Sequence, residues 1–279
     1  MASFTLHSET HGIISITDTA LKNDDPALVL IHGNSSSSKI FQHILSSATI
    51  STKYRIIAFD LPGHGASSNS ANPEKSYSMR GYADLTKEII THLNLTSVVV
   101  FGWSLGGHIA IELIPLLDPG LLRAIMVVGT PPALGLAQTD KGFTFTDGHL
   151  SLAGKQDLTE EEIKSFSRST AGEPFEQWME DDVRRTQGRS RKLMWEKLAN
   201  GEGVDQRGIV ESEGRVLIGV VNGGNEPYVN LDYLDHIKWK RLWRGKCVRL
   251  EGLGHAPFWE RPEEFERLLG EFMGDAEKL

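Results

Sequence analysis

The segment Gly102-Trp103-Ser104-Leu105-Gly106 reads G-x-S-x-G, the spacing of a nucleophile elbow. It follows the apolar, β-branched run Val98-Val99-Val100-Phe101 and leads into a helical pattern from Leu105, so the chain must turn sharply at Ser104. Side chains two residues to either side would collide with the start of the helix. Gly102 and Gly106 remove them. Such a turn aims the Ser104 hydroxyl into a pocket above the sheet. The helix start beside it offers backbone N–H groups that favour developing negative charge. The plainer alternative is a glycine-rich strand-to-helix turn with an incidental serine.

A serine hydroxyl is a weak nucleophile near neutral pH and needs a general base. His255, in Gly252-Leu253-Gly254-His255-Ala256-Pro257-Phe258, follows the last strand-like run in a loop free to bend toward the same sheet edge. Hydrolases with this elbow run nucleophile, acid, histidine, and His255 fits that order; otherwise it only caps a turn. His32 and His64 precede the serine, and His108, one helical turn past it, is expected to pack against its neighbours. The acid belongs after the run Val216–Val221, where Asn222-Gly223-Gly224-Asn225-Glu226-Pro227-Tyr228 offers Glu226 alone. A carboxylate there accepts the Nδ1 proton, fixes the tautomer and stabilises the imidazolium. Glu is one methylene longer than the more usual Asp, so the loop must sit further back or the side chain must fold. Asp232 and Asp235 are the alternatives, with Glu226 then a surface residue.

Acyl transfer also needs donors where the oxyanion forms. The Leu105 N–H is one. The Asn34 N–H is the other, from His32-Gly33-Asn34-Ser35-Ser36-Ser37-Ser38, where Gly33 permits close approach. The Asn34 side chain could also bond a substrate oxygen. Ser36–Ser38 read as a linker or helix cap, and Asp60, in Asp60-Leu61-Pro62-Gly63-His64-Gly65, as a turn organiser.

These groups need a scaffold. Ile13–Thr17 reads as one arm of an antiparallel ribbon. Ala27–Ile31, Arg55–Phe59, Ala124–Val128, Val216–Val221 and Lys246–Leu250 read as further strands. Helical spacing runs from Met79 to Leu93, from Leu105 to about Leu117 with Pro119-Gly120 as a stop, and from Pro262 through Phe265, Leu268, Leu269, Phe272 and Met273. Alternation of this kind argues a mostly parallel central sheet flanked by helices. The rhythm breaks between about 130 and 213. That polar, helical stretch, with Trp178, Met179, Met194 and Trp195, is expected to be a cap inserted between two late strands of one domain spanning 1–279, over the strand ends that carry Ser104.

Composition excludes several classes. At 279 residues with 24% charged and 39% hydrophobic residues, the chain is an ordinary globular protein. Its net charge of -8, with Lys and Arg scattered, argues against a nucleic-acid partner. No apolar run is long enough to span a bilayer, and the start lacks the pattern of a secretory signal. Cys247, the only cysteine, allows no internal disulfide and reads as a strand residue in a reducing cytoplasm. No H-E-x-x-H or H-x-H-x-D-H run suggests a metal, and no P-loop or dinucleotide fingerprint suggests a phosphate cofactor. The expected cofactor is none and the expected partner a small-molecule ester or lactone; the oligomeric state stays open.

Together these residues resemble the α/β-hydrolase superfamily over most of the chain. The His-Gly-Asn loop, the Asp-Leu-Pro-Gly-His-Gly turn, the elbow and the terminal Gly-His-Ala-Pro-Phe fall in the family's order and spacing. More narrowly, the sequence resembles the metal-independent lactonases of that fold, which open N-acyl-homoserine lactones, the bacterial quorum signals. The runs that carry this are Ile31–Ser37, Ser76–Met79, Phe101–Ile109, Gly129–Pro132, Gly172-Glu173-Pro174-Phe175-Glu176 and Val221–Gly223. The Gly172–Glu176 run is the most specific, because lids diverge fastest. That family uses Glu as its acid in a matching Asn-Gly-x-x-Glu-Pro loop, which implies Glu226. The resemblance thus implies an α/β-hydrolase fold and a cofactor-free Ser104-His255-Glu226 triad working through an acyl-enzyme. Trp103, Phe166, Phe175, Trp178 and Met194 are expected to wall the acyl tail. One departure stands out: Phe166 occupies the position of a family tyrosine that helps position the substrate. A lost hydrogen bond to a buried carbonyl costs about 1–3 kcal/mol, so activity persists, weakens or moves to another ester. A carboxylesterase and a slow-turnover ligand receptor on the same scaffold are the alternatives.

Overall fold

The computed structural model describes residues 2–21, 25–118, 120–145 and 149–279. Among the described residues eight strands form one sheet: β1 (Ala2–Ser8), β2 (Gly12–Asp18), β3 (Ala27–Ile31), β4 (Ile56–Phe59), β5 (Val98–Trp103), β6 (Leu122–Val128), β7 (Leu217–Gly223) and β8 (Val248–Leu250). Their order is β1-β2-β4-β3-β5-β6-β7-β8. The β1–β2 ribbon joins β4 antiparallel, and every pairing from β4 to β8 is parallel. The strand expected at Ile13–Thr17 is therefore the inner arm of that ribbon.

The central strands are buried on both faces, as their unbroken apolar runs require. Alternate side chains feed opposite cores. Ala27, Val29 and Ile31 of β3 pack with Val98 and Val100 of β5 on one face, whereas Leu28 and Leu30 pack with Val99, Phe101 and Trp103 on the other. The first face is covered by α3 (Met79–His92) and α4 (Leu105–Leu113), and the second by α12 (Pro262–Ala276) together with the short α1 (Gln42–Ser46) and α11 (Pro257–Glu260). A short α2 (Pro73–Ser76) precedes α3, and α10 (Leu231–Asp235) lies between β7 and β8. Pro119, part of the expected stop after α4, lies outside the described residues.

Between β6 and β7 the chain forms α5 (Leu136–Gly142), α6 (Glu160–Ala171), α7 (Gln177–Arg185), α8 (Gly188–Ala199) and α9 (Gln206–Ser212). The start of α6 shows its cause in the sequence. Thr159 Oγ1 accepts the Glu162 N–H while the Glu162 carboxylate accepts the Thr159 N–H, a reciprocal capping box. This region has a small core of its own, in which Leu150, Leu152, Ile163, Phe166 and Val183 meet Tyr228 from the loop after β7.

Several boundaries differ from expectation: α4 ends at Leu113 and not near Leu117, and β6 begins at Leu122, ahead of Ala124. β7 runs on through Asn222 and Gly223, which pair with Arg249 and Leu250. Cys247 stands one residue ahead of β8 instead of within it, with Sγ 3.8 Å from the Leu234 carbonyl and its thiol pushed up to about 12 by burial. Among the described residues no helix is long and apolar enough to cross a membrane.

Candidate active site

Ser104 has φ 54° and ψ −116°, a region that costs a non-glycine residue about 1–3 kcal/mol. The surroundings hold it there. Its N–H donates to the Val128 carbonyl at 2.7 Å, and its carbonyl accepts from Thr130 Oγ1 at 2.8 Å and from the Gly107 N–H at 2.9 Å. A Cβ on Gly102 would lie 2.1 Å from the Gly106 oxygen, and one on Gly106 would lie 2.0 Å from the Ile31 oxygen. Both glycines therefore clear backbone, and the second lets α4 start against β3.

His255 Nδ1 lies 2.8 Å from each carboxylate oxygen of Glu226. A carboxylate only accepts, so Nδ1 donates and Nε2 keeps its lone pair. The Glu226 side chain has no solvent exposure and that of His255 only 4%. The longer carboxylate side chain folds back onto its own loop, where Oε1 also accepts the Tyr228 N–H at 2.9 Å. Asp232 and Asp235, the alternative acids, instead pair with Arg249 at the surface.

The histidine loop is held at several points. The His255 carbonyl accepts Trp103 Nε1–H at 2.9 Å. The Glu260 carboxylate accepts the Gly254 N–H at 2.8 and 3.0 Å and the Ala256 N–H at 3.2 Å, one on each side of His255. The Tyr228 ring stands edge-on to the imidazole at 4.9 Å.

Ser104 lies between two adjoining cavities. One is lined by Asn34, Trp103, Ser104, Gly129, Phe143, Leu150, Ala153, Phe166, Thr170, Tyr228 and His255. The other shares Asn34, Ser104, Phe143, Leu150 and Ala153, and adds Met79, Leu105, His108, Met194, Trp195 and Leu198. Ser104, His255, Asn34, Leu105, Trp103, Phe166 and Met194 are thus brought to one place, with Glu226 behind His255. Leu105 is the first residue of α4, so its N–H has no acceptor within the helix.

The Asn34 side chain donates one Nδ2–H to the Ala153 carbonyl at 2.8 Å and keeps a second N–H. Two residues expected on the wall stand outside both cavities. Phe175 lines neither cavity; it carries the Arg168 guanidinium 3.9 Å over its ring. Trp178 also lines neither; it stands edge-on to Trp259 at 5.5 Å, at the seam between α7 and α11. Sequence reasoning missed Phe143, Leu150, Thr170, Tyr228 and Trp195. Thr170 was within reach, because it lies one helical turn after Phe166 and shares its face.

Several contacts join the 130–213 region to the loop after β3. Arg191 Nη1 donates to Ser35 Oγ at 3.3 Å, and Ser37 Oγ donates to Asp182 Oδ2 at 2.5 Å. Ser37 also caps the short helical turn at Ser38–Phe41, and Asp60 accepts the Ser38 and Ala66 N–H groups, so both organise that loop. Desolvation pushes the Asp182 carboxyl up to about 6; Asp60 and Asp181 add to the rise, while Ser37 and Lys39 oppose it. The folded chain therefore binds this proton more tightly than the unfolded chain, whose Asp titrates near 3.9. Its stabilising effect is complete below about pH 4 and lost as pH rises through 6. Asp182→Asn keeps the acceptor for Ser37 and removes the ionisation. Its melting temperature relative to wild type should rise between pH 4 and pH 7; a difference independent of pH contradicts this.

Among the described residues, no group of three or more His, Cys, Asp or Glu side chains is placed to hold a metal ion. A model of the alpha/beta hydrolase family matches residues 28–268. The solved N-acyl homoserine lactonase AidH, complexed with N-butanoyl homoserine, is 42% identical with a TM-score of 0.94, over 100% of this chain and 98% of that one. A mutant of it complexed with N-hexanoyl homoserine lactone gives a TM-score of 0.93 over 100% of both chains. Among curated proteins, the magnesium-chelatase 30 kDa subunit of Rhodobacter capsulatus is 35% identical over 44% of this chain, and the match spans only 40% of that relative. The pimeloyl-[acyl-carrier protein] methyl ester esterase of Nitrosomonas europaea is 25% identical over 93% of this chain and 96% of its own length.

Proposed function

The chain belongs to the alpha/beta hydrolase family, and from that premise we propose that this hydrolase opens the ring of N-acyl homoserine lactones by serine catalysis. The observation that carries the substrate is the full-length likeness to a lactonase solved with such a lactone. The chemistry is supported by Ser104 and His255 sharing one largely apolar cavity, with the His255 tautomer held by a buried carboxylate.

In this reading Ser104 Oγ attacks the lactone carbonyl carbon while His255 Nε2 takes its proton. The oxyanion forms against the N–H groups of Asn34 and Leu105. His255 then returns the proton to the ring oxygen as the C–O bond breaks. The acyl group is left on Ser104, with the freed alcohol still attached to it. Water must attack this ester before the alcohol re-closes the ring, so His255 acts again as base and Ser104 is regenerated with an N-acyl homoserine. Glu226 holds the imidazole throughout and balances its charge when protonated. The acyl tail lies against Phe166, Phe143, Met194 and Trp195. Residues about 130–213 act as a cap on one domain spanning 1–279. The ties from Ala153, Asp182 and Arg191 to the loop after β3 support that role.

The esterase relative keeps a second reading in view, cleavage of an acyclic ester. Fold and triad alone do not choose between them. Initial rates on N-acyl homoserine lactones and on aryl esters of matched acyl length separate the two. The lactones should be hydrolysed with the higher kcat/KM. Fast ester cleavage beside negligible ring opening contradicts the lactonase reading.

A further inference from the structure

His108 belongs to α4, four residues after Ser104. Helical side chains lean toward the N-terminus, so this imidazole leans back toward the nucleophile, and it lines the second cavity. Its Nδ1 lies 2.7 Å from Gln206 Oε1. An amide oxygen only accepts, so Nδ1 carries the proton and Nε2 the lone pair.

The amide orientation has its own cause. Gln206 is fully buried beside the equally buried Glu112. Glu112 Oε1 accepts the Val204 N–H at 2.9 Å. Among the described residues Gln206 Nε2 and Glu112 Oε2 have no hydrogen-bond partner, but the nearby carboxylate still favours the NH2 end of the amide electrostatically, which leaves Oε1 turned to His108. Burial lowers the His108 pKa to about 4, so the ring is neutral near neutral pH.

Among the described residues Nε2 has no hydrogen-bond partner, and unlike Gln206 Nε2 it is not sealed from the cavity. The cavity is mostly apolar, with Met79, Leu105, Phe143, Met194 and Trp195 beside the polar Asn34 and Ser104. His108 Nε2 is thus an oriented acceptor one helical turn from the nucleophile.

We propose that His108 Nε2 accepts a hydrogen bond from an N–H carried on the α-carbon of the substrate, which makes the site selective for α-acylamino lactones over lactones that lack that N–H. The proposal rests on the lactone reading. Ser104 and His108 line the same cavity. A nitrogen on the α-carbon lies about 2.5 Å from the reacting carbonyl carbon, so a hydrogen bond of about 3 Å is what must join it to His108 Nε2. A lactone without the N–H leaves this acceptor desolvated and unmatched.

The test compares N-hexanoyl homoserine lactone with the analogue in which a methylene replaces the amide nitrogen. The ratio of the two kcat/KM values, measured on one preparation, does not depend on how much of it is folded. Wild type should favour the amide about ten- to a hundredfold. His108→Leu should bring the ratio to within about threefold of one, and His108→Gln, which keeps an acceptor, should fall between. A wild-type ratio near one, or an unchanged ratio in His108→Leu, overturns the proposal while leaving the lactone reading intact. Failure of wild type to open either lactone overturns both.

Discussion

Glu226→Gln is expected to lower kcat on an N-acyl homoserine lactone by about 10⁴, with little change in KM. Both Glu226 oxygens lie 2.8 Å from His255 Nδ1, and neither cavity is lined by this residue. A glutamine can fill the same space, and its oxygen can still accept the Tyr228 N–H. Its NH2 group, however, can donate to Nδ1, which moves the imidazole proton to Nε2 and removes the lone pair that must take the serine proton. The neutral amide also leaves the imidazolium without a counter-charge in a place closed to solvent. The loss therefore falls on the chemical steps and spares binding. Steady-state rates over a range of lactone concentrations check this, with circular dichroism to show that the fold is kept. A loss under tenfold would place the acid elsewhere.

The parts of this arrangement that could be read from sequence share one property: local pattern and tertiary environment agree. The runs at Ala27–Ile31 and Val98–Phe101 are apolar without alternation because both faces are covered, so their place in the sheet follows from the residues alone. Gly102, Ser104 and Gly106 betray their turn because no other spacing clears the backbone there. The contact of Glu226 with His255 could be anticipated because that loop offers no other carboxylate.

What was not legible depends on which way a side chain faces. Phe175 and Trp178 share the aromatic character of the cavity wall, yet Trp178 packs on Trp259 at the seam and Phe175 lies under Arg168. Nothing in residue type separates the two outcomes. Phe143 and Leu150 come from a stretch without helical or strand periodicity, so no rule assigned them a face. His108 is buried against its neighbours, as expected, but its hydrogen-bond partner Gln206, 98 residues away in the chain, was not legible.

Ser104→Ala is expected to cost about 10⁶ in kcat, because the nucleophile of a serine triad acts as a unit with its base, and the oxyanion donors alone supply only a small residual rate. The φ of 54° at this position makes the substitution mildly strained, as it is for serine itself, so the strand-to-helix turn should persist. Ring opening by attack of Ser104 Oγ loses no atom, so the intermediate carries the full mass of the lactone. The most direct measurement is acid quenching during turnover of N-hexanoyl homoserine lactone, with intact and peptide mass spectrometry of wild type and Ser104→Ala, and with lactone hydrolysis followed in parallel. The predicted result is an added mass equal to one lactone on the peptide containing Ser104, absent from Ser104→Ala, which also hydrolyses no faster than about 10⁻⁴ of wild type. Hydrolysis by Ser104→Ala within tenfold of the wild-type rate would contradict the account.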